Sequence, residues 1–230
     1  NEQLVKYISD NGPITFRDFM ESSLYDENFG YYTSKKPNKK FGYTNDYFTS
    51  PHAHPTFGLL IAIFLKNIHV LMGKKDNFTV IEHGSGDGIL ARDVIEFSRM
   101  INKTFGKSLN YLAVDKTPEC NTFQEIKTYE AISHIRADVY LSNELIDSIP
   151  VHRFVIRASQ LKEIFVDVKD GALVQKEGPV SDTEIFRRVQ PFIPNLPDGY
   201  MGEVCVAYEN WAREVRGLVE SGIVISIDYG

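Results

Sequence analysis

Residues 80–88 (VIEHGSGDG) carry the pattern with the clearest chemical meaning in this sequence. Glycines at 84, 86 and 88 follow a short apolar run and precede a helical pattern, which predicts a sharp turn between a strand and a helix. Such turns bring backbone N–H groups close to a bound nucleotide. The spacing is ExGxGxG rather than the GxGxxG of dinucleotide-binding proteins, so the glycines alone do not identify the ligand.

Two acidic residues narrow the choice of ligand. Glu82 lies two residues before the first glycine, and Asp87 lies inside the loop. Two carboxylates would repel a pyrophosphate at close range, whereas they suit a ligand that carries an ammonium or a sulfonium charge. S-adenosylmethionine has both of these charges and no phosphate. The loop therefore predicts S-adenosylmethionine as the cofactor.

Polar residues also follow three other predicted strands. Asp115, Asn143-Glu144 and Asp228-Tyr229 come directly after apolar runs, and ligands of open α/β sheets bind beyond the carboxyl ends of the strands. We expect Asp115 to accept both ribose hydroxyls of the cofactor; the alternative is a helix N-cap before Thr117-Pro118. Asn143-Glu144 is expected beside the methyl acceptor, and a capping or solvated role for Glu144 is the alternative.

Methyl transfer from a sulfonium needs neither a metal nor a nucleophilic side chain. It is an in-line displacement that depends mainly on positioning and desolvation. The sequence offers no evident Ser-His-Asp triad or metal motif, because the spacing of His52, His54 and His83 fits no usual zinc site. We interpret these histidines as packing or loop residues and predict no metal.

The cysteines and the N-terminus indicate the compartment. Cys120 and Cys205 are the two cysteines of the chain and show no CxxC spacing, which favours free thiols in a reducing compartment, with a single bridge as the alternative. The first residues lack the charged-then-apolar layout of a signal peptide. We therefore expect a cytoplasmic protein, or a protein of the mitochondrial matrix if the source is eukaryotic.

Charge and hydropathy argue against nucleic-acid and membrane partners. The net charge is −6, and phosphate binding relies on clustered Lys and Arg. The one basic run, residues 35–40 (KKPNKK), is interpreted as a solvated loop. Lys66, Asn67 and His69 interrupt the apolar stretch 57–72 well short of the ~20 residues of a membrane span. This stretch is predicted to be a buried core helix of a soluble protein.

Apolar runs at 78–84, 109–115, 137–144 and 222–230 predict strands. Helical patterns at 89–101 and around 210–221 lie between them, and residues 102–108 (NKTFGKS) are interpreted as a loop. Continuous apolar strands that alternate with helices are typical of a parallel sheet covered on both faces. The fold class predicted is a doubly wound α/β domain with a mostly parallel, Rossmann-like sheet.

The rest of the chain frames this core. Residues 2–9 predict a helix. Thr15 is expected to be the N-cap of a second helix, with Asp18 three residues further on. Residues 26–51 predict a long structured loop. Residues 151–200 predict a β flap inserted at the rim of the sheet, with a hairpin about Asp170-Gly171.

We therefore expect an N-terminal helical segment with a cofactor-covering loop over 1–76 and a methyltransferase core over 77–230. Because the sequence ends directly after an apparent central strand, the last strands of the sheet are expected to be missing.

Several segments together resemble the MidA family of S-adenosylmethionine-dependent methyltransferases. They are GPITFRDFMESSLYDENFGYY, NDYFTSPHAHPTFG, VIEHGSGDG, SNELIDSIPVHRF and ISIDYG, which span residues 12–230 in the order of the family. SNELIDSIPVHRF is the most distinctive of them. The resemblance implies a class I methyltransferase fold whose N-terminal helical segment packs over the cofactor cleft.

The resemblance also implies a set of site residues. Glu82, Gly84, Gly86 and Asp115 would contact S-adenosylmethionine, and the loop 48–51, with Thr49 and Ser50, would close on the same site. Ser85 and Asn143 are expected to line it as well.

A protein substrate is implied too, because mitochondrial relatives of the family dimethylate an arginine on a subunit of respiratory complex I. Glu144 and Asp147 are the predicted catalytic residues. They can hold a guanidinium in a bidentate grip and orient one nitrogen towards the methyl group.

The chain departs from the family pattern at three positions. Asn45 replaces a usual Gly, His52 a usual Glu, and His83 a usual Leu. The change at His52 removes a carboxylate from the expected cleft, which motivates a second hypothesis: a non-catalytic assembly or scaffold protein that keeps the methyltransferase fold. A dinucleotide oxidoreductase is the third hypothesis, which tight binding of NADH would favour.

Overall fold

The structure, a computed structural model, describes residues 2–33, 49–116, 127–129 and 135–229. The basic run 35–40, Asn45, Phe48, Thr117-Pro118 and Cys120 therefore lie outside the described residues. The helices are α1 (Glu2–Asn11), α2 (Phe16–Tyr25), α3 (Ser50–Ala53), α4 (Thr56–Leu71), α5 (Ile89–Ile101), α6 (Lys103–Ser108), α7 (Thr183–Val189) and α8 (Tyr208–Leu218), with short 3-10 turns at Ile146–Ser148 and Ile193–Asn195.

The strands form two separate sheets. They are β1 (Ile14–Thr15), β2 (Phe78–His83), β3 (Leu109–Val114), β4 (Lys127–Tyr129), β5 (Val139–Asn143), β6 (His152–Arg157), β7 (Gln160–Lys169), β8 (Ala172–Gly178), β9 (Met201–Val204) and β10 (Ile223–Ile227). One sheet has the order β10-β5-β2-β3-β4, and the other the order β1-β7-β6-β9 with β8 paired to β7.

The first sheet is parallel throughout the described strands. From β2 the chain proceeds to β3 and β4 on one side, and then returns to β5 and β10 on the other. The strand order thus reverses beside β2, and this reversal is where open α/β sheets bind their ligands. The prediction of an α/β fold with a parallel sheet is confirmed, and the four strands predicted from apolar runs are present.

Helices α4 and α5 pack with this sheet in one hydrophobic core, whose members include Ala62, Leu65, Val80, Leu90 and Val94. Helix α4 was predicted to be a buried core helix, and it contributes one face to this core. One face of α4 is buried, while Leu60 on its other face is 58% exposed. No helix among the described residues is long and apolar enough to cross a membrane.

Residues 103–108 form the helix α6, although a loop was predicted there. Asn102 caps this helix, since its side chain accepts a hydrogen bond from the N–H of Phe105. Phe105 is buried in the core of the parallel sheet. A Cβ atom on Gly106 would lie 2.7 Å from Cα of Arg99, so the glycine permits the close approach of α6 to α5. Tertiary packing, rather than helix propensity, explains this element.

The second sheet is antiparallel and contains more than the predicted β flap. Its hairpin between β7 and β8 turns at Asp170-Gly171, where both residues have positive φ (53° and 76°), as predicted. Helix α7, however, interrupts the segment 151–200, and β1 from the N-terminal part extends the sheet by pairing with β7. Ile185 and Val189 of α7 share a small core with Phe154.

The chain divides into two compact units by its internal contacts. One unit comprises residues up to 36 together with 148–211, and the other comprises 37–147 together with 212–230. This grouping differs from the predicted boundary at residue 76. Because β1 pairs with β7, the N-terminal helices belong with the antiparallel sheet, whereas α4 packs in the core of the parallel sheet.

Candidate functional site

The glycine loop connects β2 to α5 through three residues with left-handed backbone. Gly84, Gly86 and Gly88 have φ values of 77°, 53° and 78°, a region that glycine adopts without the steric cost that other residues meet. At Gly84 the space is restricted as well, because a Cβ atom would lie 2.9 Å from Cδ1 of Leu145. The glycines therefore leave these positions of the loop without side chains at the end of β2.

Strand β3 holds the start of this loop. The N–H groups of Gly84 and Ser85 donate to the carbonyl of Val114 at 2.8 and 3.2 Å, and Ser85 is buried. The N–H of Gly86 donates to Oδ2 of Asp115 at 2.9 Å. The structure thus brings the carboxylate of Asp115 into contact with the glycine loop.

Glu82 is buried beneath the loop, and its charge differs from the prediction. It is 2% exposed, and its Oε2 accepts a hydrogen bond from the hydroxyl of Tyr111 at 2.8 Å. Desolvation raises the pKa of Glu82 to about 8, the Tyr111 hydrogen bond opposes this effect, and Asp115 and Asp87 add to it. At neutral pH the ligand-free side chain is therefore mainly protonated, and the expected repulsion of pyrophosphate by a Glu82 carboxylate needs correction.

His83 has a structural explanation in the neighbouring strand. Its Nδ1 lies 2.8 Å from the hydroxyl of Tyr140 on β5, and the two rings meet edge to face. Burial lowers the pKa of His83, against the opposing effects of Asp115 and Glu214. His83 is therefore a neutral packing residue, in agreement with the interpretation from the sequence.

The segment that carries Thr49 and Ser50 also reaches the loop. Nε2 of His52 lies 2.9 Å from Oδ2 of Asp87, and Nδ1 lies 2.7 Å from Oγ1 of Thr49. The N–H of Ser50 lies 3.5 Å from Oε1 of Glu144, which is at the limit of a hydrogen bond. The structure thus places Thr49 and Ser50 next to Asp87 and Glu144, and their contact with the cofactor stays a prediction.

The end of β5 contributes a buried acceptor that has no hydrogen-bond partner. Oδ1 of Asn143 is buried and unpaired among the described residues. Glu144, the next residue, has φ of 51°, and its N–H donates to the carbonyl of Ile227 on β10. Buried unpaired polar atoms are rare, so Oδ1 of Asn143 points to a ligand that would satisfy it.

Acidic side chains surround the exposed end of β10. Oδ2 of Asp228 accepts hydrogen bonds from the N–H groups of Ile146 and Asp147, at 2.8 and 3.2 Å, and so holds the 3-10 turn that carries Asp147. The side chain of Glu144 lies near the hydroxyl of Tyr229 and raises the pKa of Tyr229. Glu144, Asp147 and Tyr229 therefore lie close together.

The sequence did not predict three pairings at this site: Tyr111 with Glu82, Asp87 with His52, and Tyr229 with Glu144. No signal in one sequence pairs such residues, because their pairing depends on strand register and loop conformation. Within the described ranges, no group of three or more His, Cys, Asp or Glu side chains is arranged to hold a metal ion.

Comparison with known proteins identifies the family. A family model described as "Putative S-adenosyl-L-methionine-dependent methyltransferase" matches residues 60–230, well over half of the chain. The chain belongs to this family. The match agrees with the resemblance to the MidA family and covers the parallel sheet with the whole glycine loop.

Individual relatives have low sequence identity to this chain. The "Protein arginine methyltransferase NDUFAF7 homolog, mitochondrial" of Drosophila melanogaster is 26% identical over 100% of this chain and 60% of its own length. The homologue of the same name in Caenorhabditis elegans is 27% identical over 74% of this chain and 46% of its own length. This chain thus spans at most about three fifths of these relatives.

Solved structures of the same family resemble this chain along nearly its whole length. A COG1565 superfamily member from Burkholderia thailandensis, bound to S-adenosyl-homocysteine, has a TM-score of 0.83 and 26% identity, over 99% of this chain and 61% of that one. A native structure of a COG1565 protein from the same organism has a TM-score of 0.79 and 25% identity, with 99% and 60% covered.

Proposed function

We propose that this protein is an S-adenosylmethionine-dependent methyltransferase that acts on a protein side chain, with arginine as the acceptor. One observation carries the proposal. The glycine loop, Asp115, Asn143 and Glu144 converge at the carboxyl ends of adjacent parallel strands, where the strand order reverses. Membership of the family and a fold shared with a protein that holds S-adenosyl-homocysteine support it.

The residues at this edge of the sheet fit the cofactor. Gly84 and Gly86 give the loop a left-handed backbone without side chains, Asp115 offers a carboxylate beside the loop, and Oδ1 of Asn143 is a buried acceptor in need of a donor. When bound, the cofactor supplies a methyl group on a positively charged sulfur. Asp115 would accept ribose hydroxyls, and Asn143 would accept from a polar group of the ligand.

Glu144 and Asp147 would bind the methyl acceptor. Two carboxylates that flank an exposed edge can hold a guanidinium by paired, charge-assisted hydrogen bonds. The hydroxyl of Tyr229, which lies near Glu144, would help to fix the orientation of this carboxylate. These side chains would place one nitrogen of the acceptor in line with the methyl group and stabilise its charge, so their contribution would be positioning.

The names of the relatives support a protein as the substrate. Those found in fly and worm are named protein arginine methyltransferases and mitochondrial proteins. We infer a protein substrate for this chain too, with a subunit of a respiratory complex as the candidate, and a reducing compartment, the cytoplasm or the mitochondrial matrix, as the location.

Transfer of a labelled methyl group tests the proposal. The chain is incubated with methyl-labelled S-adenosylmethionine and a lysate of its source cells, and the proteins are hydrolysed and analysed for methylated amino acids. We expect methylarginine, strongly reduced by Glu144→Gln or Asp147→Asn. Glu96→Gln, at an exposed position on α5, is the matched control and should behave as the parent chain.

The same experiment separates the second candidate, a non-catalytic assembly protein that keeps the fold. Such a protein binds the cofactor and transfers no label. The departure from the family at His52 motivates this candidate. Binding of S-adenosylhomocysteine without any labelled product would favour it over the enzyme.

A further inference from the structure

His52 lies in an enclosed position beside the glycine loop. Its side chain is 9% exposed, although it belongs to the short helix α3. Both ring nitrogens have partners: Nδ1 lies 2.7 Å from Oγ1 of Thr49, and Nε2 lies 2.9 Å from Oδ2 of Asp87. The imidazole therefore bridges the segment that carries Thr49 and the loop that carries Asp87.

This bridge does not require one particular charge on His52. In the neutral ring with a proton on Nε2, Nε2–H donates to Asp87 and Nδ1 accepts from the hydroxyl of Thr49. In the protonated ring, Nε2–H donates to Asp87 as before, and Nδ1–H donates to the oxygen of Thr49. The contact with Asp87 is a hydrogen bond from an N–H to a carboxylate in either case, which is a strong type of hydrogen bond.

Asp87 transmits this contact to the loop. Its Oδ1 accepts a hydrogen bond from the N–H of Ile89, the first residue of α5, at 3.2 Å, while Oδ2 faces His52. One residue earlier, the N–H of Gly86 donates to Asp115. The loop is thus held on one side by Asp115 and on the other by His52.

A second carboxylate at position 52 would disrupt this arrangement. It would face Asp87 across a gap of about the present 2.9 Å, and two like charges at that distance repel each other. The chain consequently needs a donor at position 52. His52 replaces a Glu that is usual in the family, and as a donor it is complementary to the aspartate that it contacts.

We propose that His52 is a positioning residue that holds the glycine loop, through Asp87, in the conformation that receives the cofactor. The inference rests on the proposed function, since it concerns the same cofactor site. It assigns to His52 a role in cofactor affinity rather than in the chemical step. The segment 49–53, which carries His52, therefore also affects the binding of the cofactor at the glycine loop.

Isothermal titration with S-adenosylhomocysteine tests this role in a set of matched variants. His52→Glu should weaken binding at least about tenfold, because it places a carboxylate against Asp87. His52→Gln keeps an N–H donor of similar reach and should stay within about threefold of the parent chain. His54→Ala is the control, because His54 bonds to the neighbouring Thr56 and should leave the affinity unchanged.

The double variant His52→Glu/Asp87→Asn decides between positioning and general disruption. The introduced amide can donate to the introduced carboxylate, and its oxygen can still accept from the N–H of Ile89, so the bridge is rebuilt with the opposite direction of donation. Affinity should return to within about threefold of the parent chain. This rescue also makes the inference testable if His52→Glu alone fails to fold, as circular dichroism would show.

The outcomes separate the two proposals. If the parent chain binds S-adenosylhomocysteine and His52→Glu binds equally well, or if the folded double variant stays tenfold weak, the role of His52 is overturned and the proposed function stands. If the parent chain does not bind at all, the proposed function itself fails.

Discussion

Glu82 illustrates how burial sets the pKa of a single side chain at the site. The carboxyl is enclosed with Tyr111, and desolvation raises its pKa to about 8. The folded protein therefore retains a proton that the unfolded chain loses near pH 4.5, the ordinary value for Glu. Folding stability should consequently fall as the pH rises from about 4.5 to about 8, by about 1.4 kcal/mol for each pH unit in that range.

Glu82→Gln should remove this pH dependence in the ligand-free protein. The amide cannot ionise, so the variant should become more stable than the parent chain as the pH rises, and the difference should be small near pH 5. Urea unfolding of both proteins at several pH values between 5 and 8.5 measures this. Parallel stability curves across the range would contradict the buried, protonated state of Glu82.

Glu163 should show the opposite dependence on pH. It is fully buried in the antiparallel sheet, and its oxygens accept hydrogen bonds from His152 at 2.8 Å and from the N–H of Ser181 at 2.6 Å. Burial acts to raise its pKa, yet these hydrogen bonds outweigh burial and lower it. The stability that they provide is present above pH 4.5 and is lost as the pH falls through the lowered value.

Glu163→Gln should therefore destabilise the protein at pH 7 by about 1.5–3 kcal/mol, the usual range for a hydrogen bond to a charged group. Below the lowered pKa of Glu163 the variant and the parent chain should converge. Chemical denaturation in a series of falling pH from pH 7 checks this, and a difference that stays constant would argue against an ionised Glu163.

Among the elements, the contact of α4 with α5 supports the glycine loop, because α5 begins where the loop ends. A Cβ atom on Gly58 of α4 would lie 2.5 Å from Cβ of Asp93 on α5. Gly58→Ala should therefore force the helices apart and cost about 1–3 kcal/mol of stability. Gly217→Ala on α8 is the matched control, since nothing lies within 4 Å of its Cβ position.

The control should stabilise the protein by up to about 1 kcal/mol, because alanine favours a helix more than glycine does. Thermal unfolding of both variants measures the two effects. Equal shifts in the same direction would mean that α4 and α5 are not in close contact at Gly58.

Most elements of the parallel sheet could be predicted from the sequence, and the exceptions have physical reasons. Strands β2, β3, β5 and β10 are continuous apolar runs, which need no knowledge of the partner strand. Helix α6 is short, contains a glycine and depends on the burial of Phe105. Helix α7 has a signal in the sequence: Asp182 caps it, and the apolar residues Ile185 and Val189 follow at helical spacing.

The predicted site residues lie at strand ends, which the sequence could locate. Their hydrogen-bond partners on neighbouring strands could not be predicted, because they depend on the register between strands. In the parallel ladder Glu82 pairs with Ala113, so Tyr111 is its diagonal neighbour two residues earlier. His83 pairs with Ser142, and Tyr140 is its diagonal neighbour with the same offset. One sequence does not determine the register between strands that are far apart in the chain, so neither hydrogen bond could be predicted. The raised pKa of Glu82 follows from its burial, which Tyr111 partly offsets.

In the whole molecule, all candidate site residues belong to the unit that contains the parallel sheet. We expect the two units to open separately, as compact substructures often do. S-adenosylhomocysteine at a hundred times its dissociation constant should then protect the amides of β2, β3 and β5 from hydrogen exchange by about 2.7 kcal/mol. The amides of β6 and β7 should change little, and equal protection of both sheets would contradict separate opening.

The central claim is that the glycine loop and Asp115 bind the cofactor of a methyltransferase. Isothermal titration calorimetry of S-adenosylhomocysteine with the parent chain and with Asp115→Ala tests it most directly. The account predicts a dissociation constant in the micromolar range, roughly the usual substrate level, and binding at least about tenfold weaker in Asp115→Ala. Absence of binding to the folded parent chain, or undiminished affinity in the variant, would contradict it.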